Sequence, residues 1–332
     1  MFNDKVIFIT GGTGSFGKKF TQILLENYKP KKVIIYSRDE FKQFEMSKTF
    51  NDRCMRYFIG DVRDKDRLLR AMEGVDYVVH AAALKHVPIA EYNPMEAIKT
   101  NVLGANNVID AAIESGVKKV IALSTDKAVN PINLYGATKL AADKLFIAAN
   151  NIKGARPIKF SVVRYGNVMA SRGSVIPLFM RLTKEGAKKL PITHPDMTRF
   201  WITLDEAVRF VMMAFETMQG GEIFVPKIPS MKITDLAKAI NPDAEFEIIG
   251  IRPGEKLHET LISVDESYNT IEFGEYFVIQ PLIHVTGRPD YFVNPKGEKG
   301  IRKEFGFRFS SDNNDRWLSV DDLRDKLKDV DV

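Results

Sequence analysis

The chain reads as an α/β protein, a Rossmann-like doubly wound parallel sheet with a second, smaller α/β substrate-binding region. Three observations carry this reading. Short apolar runs alternate with segments of helical period. A glycine-rich turn separates the first run from the first amphipathic segment. Polar residues of chemical interest follow the runs directly, where ligands meet a parallel sheet.

The elements follow in order. Residues 5–10 (KVIFIT) form a buried strand, then Gly11-Gly12-Thr13-Gly14-Ser15-Phe16-Gly17 leads into a helix through Gln22, Leu24, Leu25 and Tyr28. Strands are expected at 32–36, 56–59, 75–80, 119–123 and 159–164, and helices at 67–72, 97–115 and 135–150. The first domain therefore spans 1–167. Beyond it proline rises and elements shorten. A helix at 204–218 returns to the first domain, strands are read at 221–225, 248–251 and 276–279, and a helix at 233–240. Residues 168–332 form the discontinuous substrate-binding region.

Composition narrows the function. The 332 residues are 45% hydrophobic and 27% charged, an ordinary globular balance of about two domains. One cysteine, Cys54, forbids an intramolecular disulfide and fits a reducing compartment. Five scattered histidines show no metal-ligand spacing, so no structural metal is expected. No run approaches the ~20 apolar residues that span a bilayer, and the N-terminal run is too short for a signal peptide. The expectation is a soluble cytoplasmic protein with no membrane partner. The net charge of +5 and pI near 9.0 suit an enzyme of anionic ligands. The lysine clusters are too diluted for a nucleic-acid patch.

Gly11, Gly14 and Gly17 let the backbone approach a pyrophosphate at a helix N-terminus, with Thr13, Ser15 and Phe16 in the same loop. The second strand ends Ser37-Arg38-Asp39. Arg38 can pair with a 2′-phosphate and Lys42 adds charge, which favours NADP. Asp39 leaves NAD open. Asp61, with Val62 beside it, is placed either to accept from the adenine amine or to cap a helix. Ala81 and Lys85 follow the fourth strand.

Tyr135 and Lys139, four apart, share one helix face. The lysine charge favours ionisation of the phenol, which then acts as a base. Asp126 and Lys127 add an acid and a base just upstream, after Thr125. A plain alcohol dehydrogenase needs only the Tyr-Lys pair; a second pair suggests a second proton transfer, such as an elimination. Taken alone, Asp126-Lys127 is equally a solvated turn and Tyr135 a buried aromatic.

The Gly11-x-x-Gly14-x-x-Gly17 loop with Tyr135-x-x-x-Lys139 resembles the extended short-chain dehydrogenase/reductase superfamily. Longer runs are more specific: LSTDKAVNPINLYGATK (123–139), AAALKHVPIAEYNP (81–94), RYGNVMASRGSV (164–175), MTRFWIT (197–203), GGEIFVPKIPSMK (220–232) and IRPGEKLHE (251–259). Together they resemble the soluble, inverting UDP-N-acetylglucosamine 4,6-dehydratases of pseudaminic acid biosynthesis, from about residue 3 to SSDNN at 310–314. Some relatives carry methionine for the tyrosine or N-terminal membrane helices; Tyr135 points to the soluble branch.

The resemblance implies a mechanism. Tyr135, helped by Lys139, deprotonates the sugar C4 hydroxyl as hydride passes to NADP. Lys127 removes the C5 proton, Asp126 protonates the departing C6 hydroxyl, hydride returns to C6, and reprotonation on the other face inverts C5. Thr125 bonds the C4 oxygen and Lys85 lies near substrate and cofactor. Asn167, Arg172, Thr193 and Arg252 hold the nucleotide-sugar, with Asn313 and Asn314 reaching it from the C-terminal segment. Asn101 orients Lys139 through water or simply lies on a helix surface. Arg199 and Glu255 are weaker candidates for holding the nucleotide-sugar and read better as surface ion pairs; His86 and His258 read as structural. The family forms homo-oligomers, often hexamers, and its pathway modifies flagellin or another surface glycan. The rival readings are a C4 epimerase, which has no need of Asp126-Lys127, a retaining dehydratase, and a non-catalytic NADP-binding scaffold.

Overall fold

A computed structural model describes residues 1–169, 175–283 and 289–328. The first part alternates β1 (Val6–Thr10), α1 (Ser15–Asn27), β2 (Lys32–Ser37), α2 (Glu40–Thr49), β3 (Met55–Ile59), α3 (Lys65–Ala71) and β4 (Tyr77–His80). It continues through α4 (Val87–Tyr92), α5 (Pro94–Ile98), a π-turn (Lys99–Leu103), α6 (Gly104–Glu114), β5 (Lys119–Thr125), a 3-10 turn (Asp126–Ala128), α7 (Leu134–Ile152) and β6 (Lys159–Tyr165). Strands β3-β2-β1-β4-β5-β6 lie side by side and parallel, the doubly wound order whose reversal between β1 and β4 opens a ligand crevice. Helices cover both faces, so strands such as β1 are buried along their whole length.

The remainder holds β7 (Asn167–Val168), α8 (Val175–Lys184), β8 (Lys189–Ile192), β9 (Thr198–Ile202), α9 (Leu204–Thr217), β10 (Ile223–Pro226), β11 (Ser230–Lys232), α10 (Ile233–Ile240) and β12 (Glu245–Ile248). After these come β13 (Thr260–Ile262), β14 (Thr270–Glu272), β15 (Tyr276–Ile279), β16 (Ile301–Arg302), β17 (Phe309–Ser310) and α11 (Val320–Leu327). A Thr203/Glu206 capping box starts α9. Its Phe215 packs on Phe2 and Tyr77 of the main core. A separate core gathers Phe179, Leu190, Trp201, Met231, Leu236 and Leu323.

Three features differ from the sequence reading. The main sheet does not stop at residue 167: β10 adds in parallel, and β15, β14 and β16 extend it antiparallel to ten strands. The strand read at 248–251 lies at β12 instead, because Gly250 takes a φ of +83° that ends extended backbone. The helix read over 97–115 is interrupted by the π-turn. Such a turn inserts an extra residue, a frequent device at functional sites, and here it carries Asn101, which is buried.

Candidate active site

The loop between β1 and α1 is shaped to receive a phosphate. Gly11 has a φ of +65°, and a side chain there would meet the backbone of Ala81 and Ala82 at the end of β4. A Cβ on Gly17 would lie 2.3 Å from the carbonyl oxygen of Gly12, so only glycine lets α1 start this close to the loop. Gly14 caps α1 without a side-chain bond, which leaves the helix N–H groups for an anion. Thr13 and Ser15 edge this mouth. Phe16 turns inward and stacks on Phe20. Below the loop Thr10 Oγ1 pairs with His80 Nδ1 at 2.8 Å and accepts from the N–H groups of Ala81 and Ala82. These features fit a dinucleotide pyrophosphate.

At the adenosine end Arg38 is 54% exposed and faces Asp61 at 3.8 Å. Asp61 is no helix cap; Asp64 caps α3. Burial opposes the charge of Asp61, but the Arg63 hydrogen bonds, with Arg38, outweigh it and hold the carboxyl below its ordinary range. Asp39, the alternative ribose acceptor, caps α2 and pairs with Lys42 at 2.8 Å, so Lys42 is committed to Asp39. Ser37 Oγ accepts from Gln43. Val62 is buried against Gly104, its carbonyl held by Asn107.

The residues read from the sequence as proton-transfer groups meet where β5 runs into the 3-10 turn. A Cβ on Gly136 would sit 2.2 Å from the Lys127 carbonyl oxygen, so the glycine after Tyr135 lets α7 press against this turn. Asp126 is fully buried. Its Oδ1 accepts from Thr125 Oγ1 at 2.8 Å and from Lys127 Nζ at 3.0 Å, while its Oδ2 has no partner. Lys127 Nζ also donates to Asn167 Oδ1 at 3.3 Å and lies 3.4 Å from Glu259 Oε1. Burial works against the Lys127 charge, but Asp126 and Glu259 overcome it and hold the ammonium above the usual lysine range.

Tyr135 is buried, which pushes its phenol up to about 12; the strongest opposing influence is the charge of Lys127. Lys139 is the partner read for Tyr135 from the sequence. Its Nζ donates to the Leu123 carbonyl at 2.6 Å, and burial draws it below the ordinary range, offset by Asp143 one turn on. Asp143 itself bonds Ser124 at 2.7 Å and pairs with the buried Arg164. Burial and the Lys127 charge likewise lower Lys85.

The remaining positions divide. Asn101 grips both the N–H and the carbonyl of Leu84, beside Lys85, and reaches Thr138 at 3.0 Å rather than Lys139. Arg199 is no surface residue: it is buried, donates to the carbonyls of Thr198 and Leu257, and lies 3.9 Å from Glu259. Glu255 faces Arg252 at 3.9 Å. Their loop docks on the segment before α7 through Asn133–Gly254 and Lys256–Val129 bonds, with Arg252 exposed. Thr193 follows β8 and is half-buried. Asn314 donates to the Ile228 carbonyl and to Ser230 Oγ, which ties the C-terminal segment to the chain before β11, and Asn313 bonds Ser310 and Arg308. His258 bonds Thr198, and His86 starts α4. Arg172 lies outside the described residues. The sequence reading passed over Glu259 although it closes the quoted run 251–259; its signal was a carboxylate directly before an apolar strand.

The family model for polysaccharide biosynthesis protein matches residues 7–281. A Campylobacter jejuni protein named UDP-N-acetylglucosamine 4,6-dehydratase (inverting) is 64% identical, over 98% of each chain. A Rickettsia canadensis protein named UDP-glucose 4-epimerase is 43% identical over 98% of this chain and 96% of its own length. The X-ray structure of Pen from Bacillus thuringiensis superposes with a TM-score of 0.88 at 40% identity, over 99% and 98% of the two chains. On these matches the chain belongs to the polysaccharide biosynthesis protein family of extended short-chain dehydrogenase/reductase-like enzymes, and within it to the group of the inverting UDP-N-acetylglucosamine 4,6-dehydratases.

Proposed function

We propose that the chain is a UDP-N-acetylglucosamine 4,6-dehydratase that inverts C5 and serves pseudaminic acid biosynthesis. The observation that carries this is the Asp126-Lys127 pair beside Tyr135, with Asp126 fully buried and Lys127 partly exposed. An epimerase needs one proton acceptor at C4. Here an acid and a second base stand next to it.

NADP is the cofactor this reading favours, because Arg38 stands at the adenosine end with its guanidinium exposed while Asp39 is spent on Lys42. Gly11, Gly14 and Gly17 hold its pyrophosphate. When bound, it would supply the hydride acceptor for sugar C4 and the hydride donor for C6, and solvent would return a proton to C5 on the opposite face. The chain's own residues move the other protons. Tyr135, having first released its own proton to solvent, takes that of the C4 hydroxyl as the phenolate, with Thr125 bonding the same oxygen. A proton passing from Lys127 to Asp126 makes an amine and an acid together. Lys127 then removes the C5 proton as Asp126 protonates the C6 oxygen, which leaves as water and restores the ion pair.

The second core is the substrate-binding region, with Arg252 and Arg172 offered to the diphosphate. Exposed Ile89, Tyr92 and Met95 on α4 and α5 support a homo-oligomer, and the single cysteine suits a cytoplasmic setting. The second reading, a C4 epimerase, is favoured by the name of the Rickettsia relative. Mass spectrometry of UDP-N-acetylglucosamine incubated with the protein and NADP in D₂O separates them. A product lighter by one water, with deuterium at C5, supports the dehydratase, and NMR of it reads C5. An isomer of unchanged formula supports the epimerase and overturns the dehydratase.

A further inference from the structure

Lys127 is bracketed by two buried carboxylates. Asp126 comes from its own turn, Glu259 from the segment before β13, more than a hundred residues away. Glu259 is 2% exposed. Its Oε1 lies 3.4 Å from Lys127 Nζ and 3.9 Å from Arg199 Nε. Its Oε2, like Asp126 Oδ2, is buried without a partner. Its backbone is fixed from both sides, Glu259 N–H donating to Ser311 Oγ at 2.9 Å and the Ser311 N–H to the Glu259 carbonyl at 2.8 Å. A carboxylate is costly to bury, and one kept here must act on its neighbours. Nothing in the proton relay uses it directly.

We infer that Glu259 is a positioning residue that, balanced by Arg199, sets how readily Lys127 passes its proton to Asp126 and so how often the C5 base is available. The inference rests on the dehydratase reading. The elimination starts from neutral Lys127 and protonated Asp126, whereas the structure holds the ion pair. Moving the proton from Nζ to the Asp126 carboxylate breaks one N–H bond and makes one O–H bond, with no other reactant. Glu259 opposes that transfer by stabilising the ammonium; Arg199 favours it. The other charged or titratable groups facing Lys127 are Lys256 from the docked loop, Lys85 after β4, and Tyr135 on α7. All three stay in place in the variants below.

The test is the pH profile of water loss from UDP-N-acetylglucosamine by the full-length protein with NADP, for wild type, Glu259→Gln, Glu259→Asp and Arg199→Gln. Because the transfer keeps the proton within the pair, the height of the kcat plateau, and not the position of a limb, reports how often neutral Lys127 is present. Glu259→Gln is expected to raise that plateau by about tenfold, with KM little changed, and Glu259→Asp by less. Arg199→Gln is expected to lower it. Dinucleotide binding and thermal melting report folding for each variant; if both Glu259 variants unfold, the Arg199→Gln change decides. An unchanged or lower plateau in folded Glu259→Gln overturns the inference and leaves the dehydratase reading intact. A wild type that never releases water overturns both.

Discussion

The cofactor end and the proton-transfer cluster of this site are built in opposite ways. The cofactor end is made from one stretch of chain, is open at its mouth, and its charged residues are half in water: Arg38, Asp61 and Arg63 all keep substantial exposure. The cluster around Lys127 draws on β5, β7, β9 and the segment before β13, and Asp126, Glu259 and Arg199 are nearly sealed. Charge therefore counts differently in the two places. At the open end water screens each pair, and binding rests on shape and backbone N–H groups. In the sealed cluster each charge acts strongly on its neighbours. Under the proposed reading the difference suits the tasks: one end holds a cofactor, and the other moves protons among closely packed groups.

The sharpest break of this comparison is Lys127→Ala. Loss of a proton-transfer group typically costs about 10² to 10⁴ in rate. Dehydration should fall by that much, while dinucleotide affinity, measured by calorimetry, should hold. Normal turnover would remove Lys127 from the relay. Weakened dinucleotide binding would show that the two regions are not separate.

How much of this was legible depended on sequence distance. The glycine loop and the Tyr135–Lys139 spacing could be read because both follow from local geometry: a turn between strand and helix, and one helix face. The parallel order of the first six strands could be read for the same reason. Glu259 and Arg199 could not, because their meaning arises only when β9 and the segment before β13 are folded against β5. The burial of Asn101 and its bonds to Leu84 and Thr138 were not legible, because a π-turn interrupts the helix that carries it. The Lys127 charge near Tyr135 was not legible either, because it depends on how the turn after β5 packs against α7.

A smaller effect is expected at the open end. Arg38→Ala removes one exposed guanidinium from the edge of the adenosine site. A charged hydrogen bond is worth about 1.5–3 kcal/mol, so NADP affinity should fall roughly ten- to a hundredfold, and NAD affinity hardly at all. Titrating the variant with both dinucleotides decides the matter. Equal weakening would mean that Arg38 serves Asp61 and not a 2′-phosphate.

The last prediction concerns the residue that joins the two regions. His80 pairs with Thr10 beneath the glycine loop, packs on Phe146, and is buried near Lys139. Burial first, and then the Lys139 charge, depress its pKa from 6.5 to about 3. Between those values the unfolded chain binds a proton that the folded chain refuses, so stability rises with pH across this window and is lost as pH falls below 6.5. By pH 5 the loss from this one group should be about 2 kcal/mol. His80→Asn keeps a polar partner for Thr10 but cannot titrate there. It should lower stability at neutral pH through imperfect packing, yet lose less on going from pH 7 to pH 5 than the wild type does. Urea unfolding at the two pH values gives both differences. If wild type and variant lose the same amount, His80 is not held neutral, and the floor of the cofactor loop does not feel the charge of the catalytic helix.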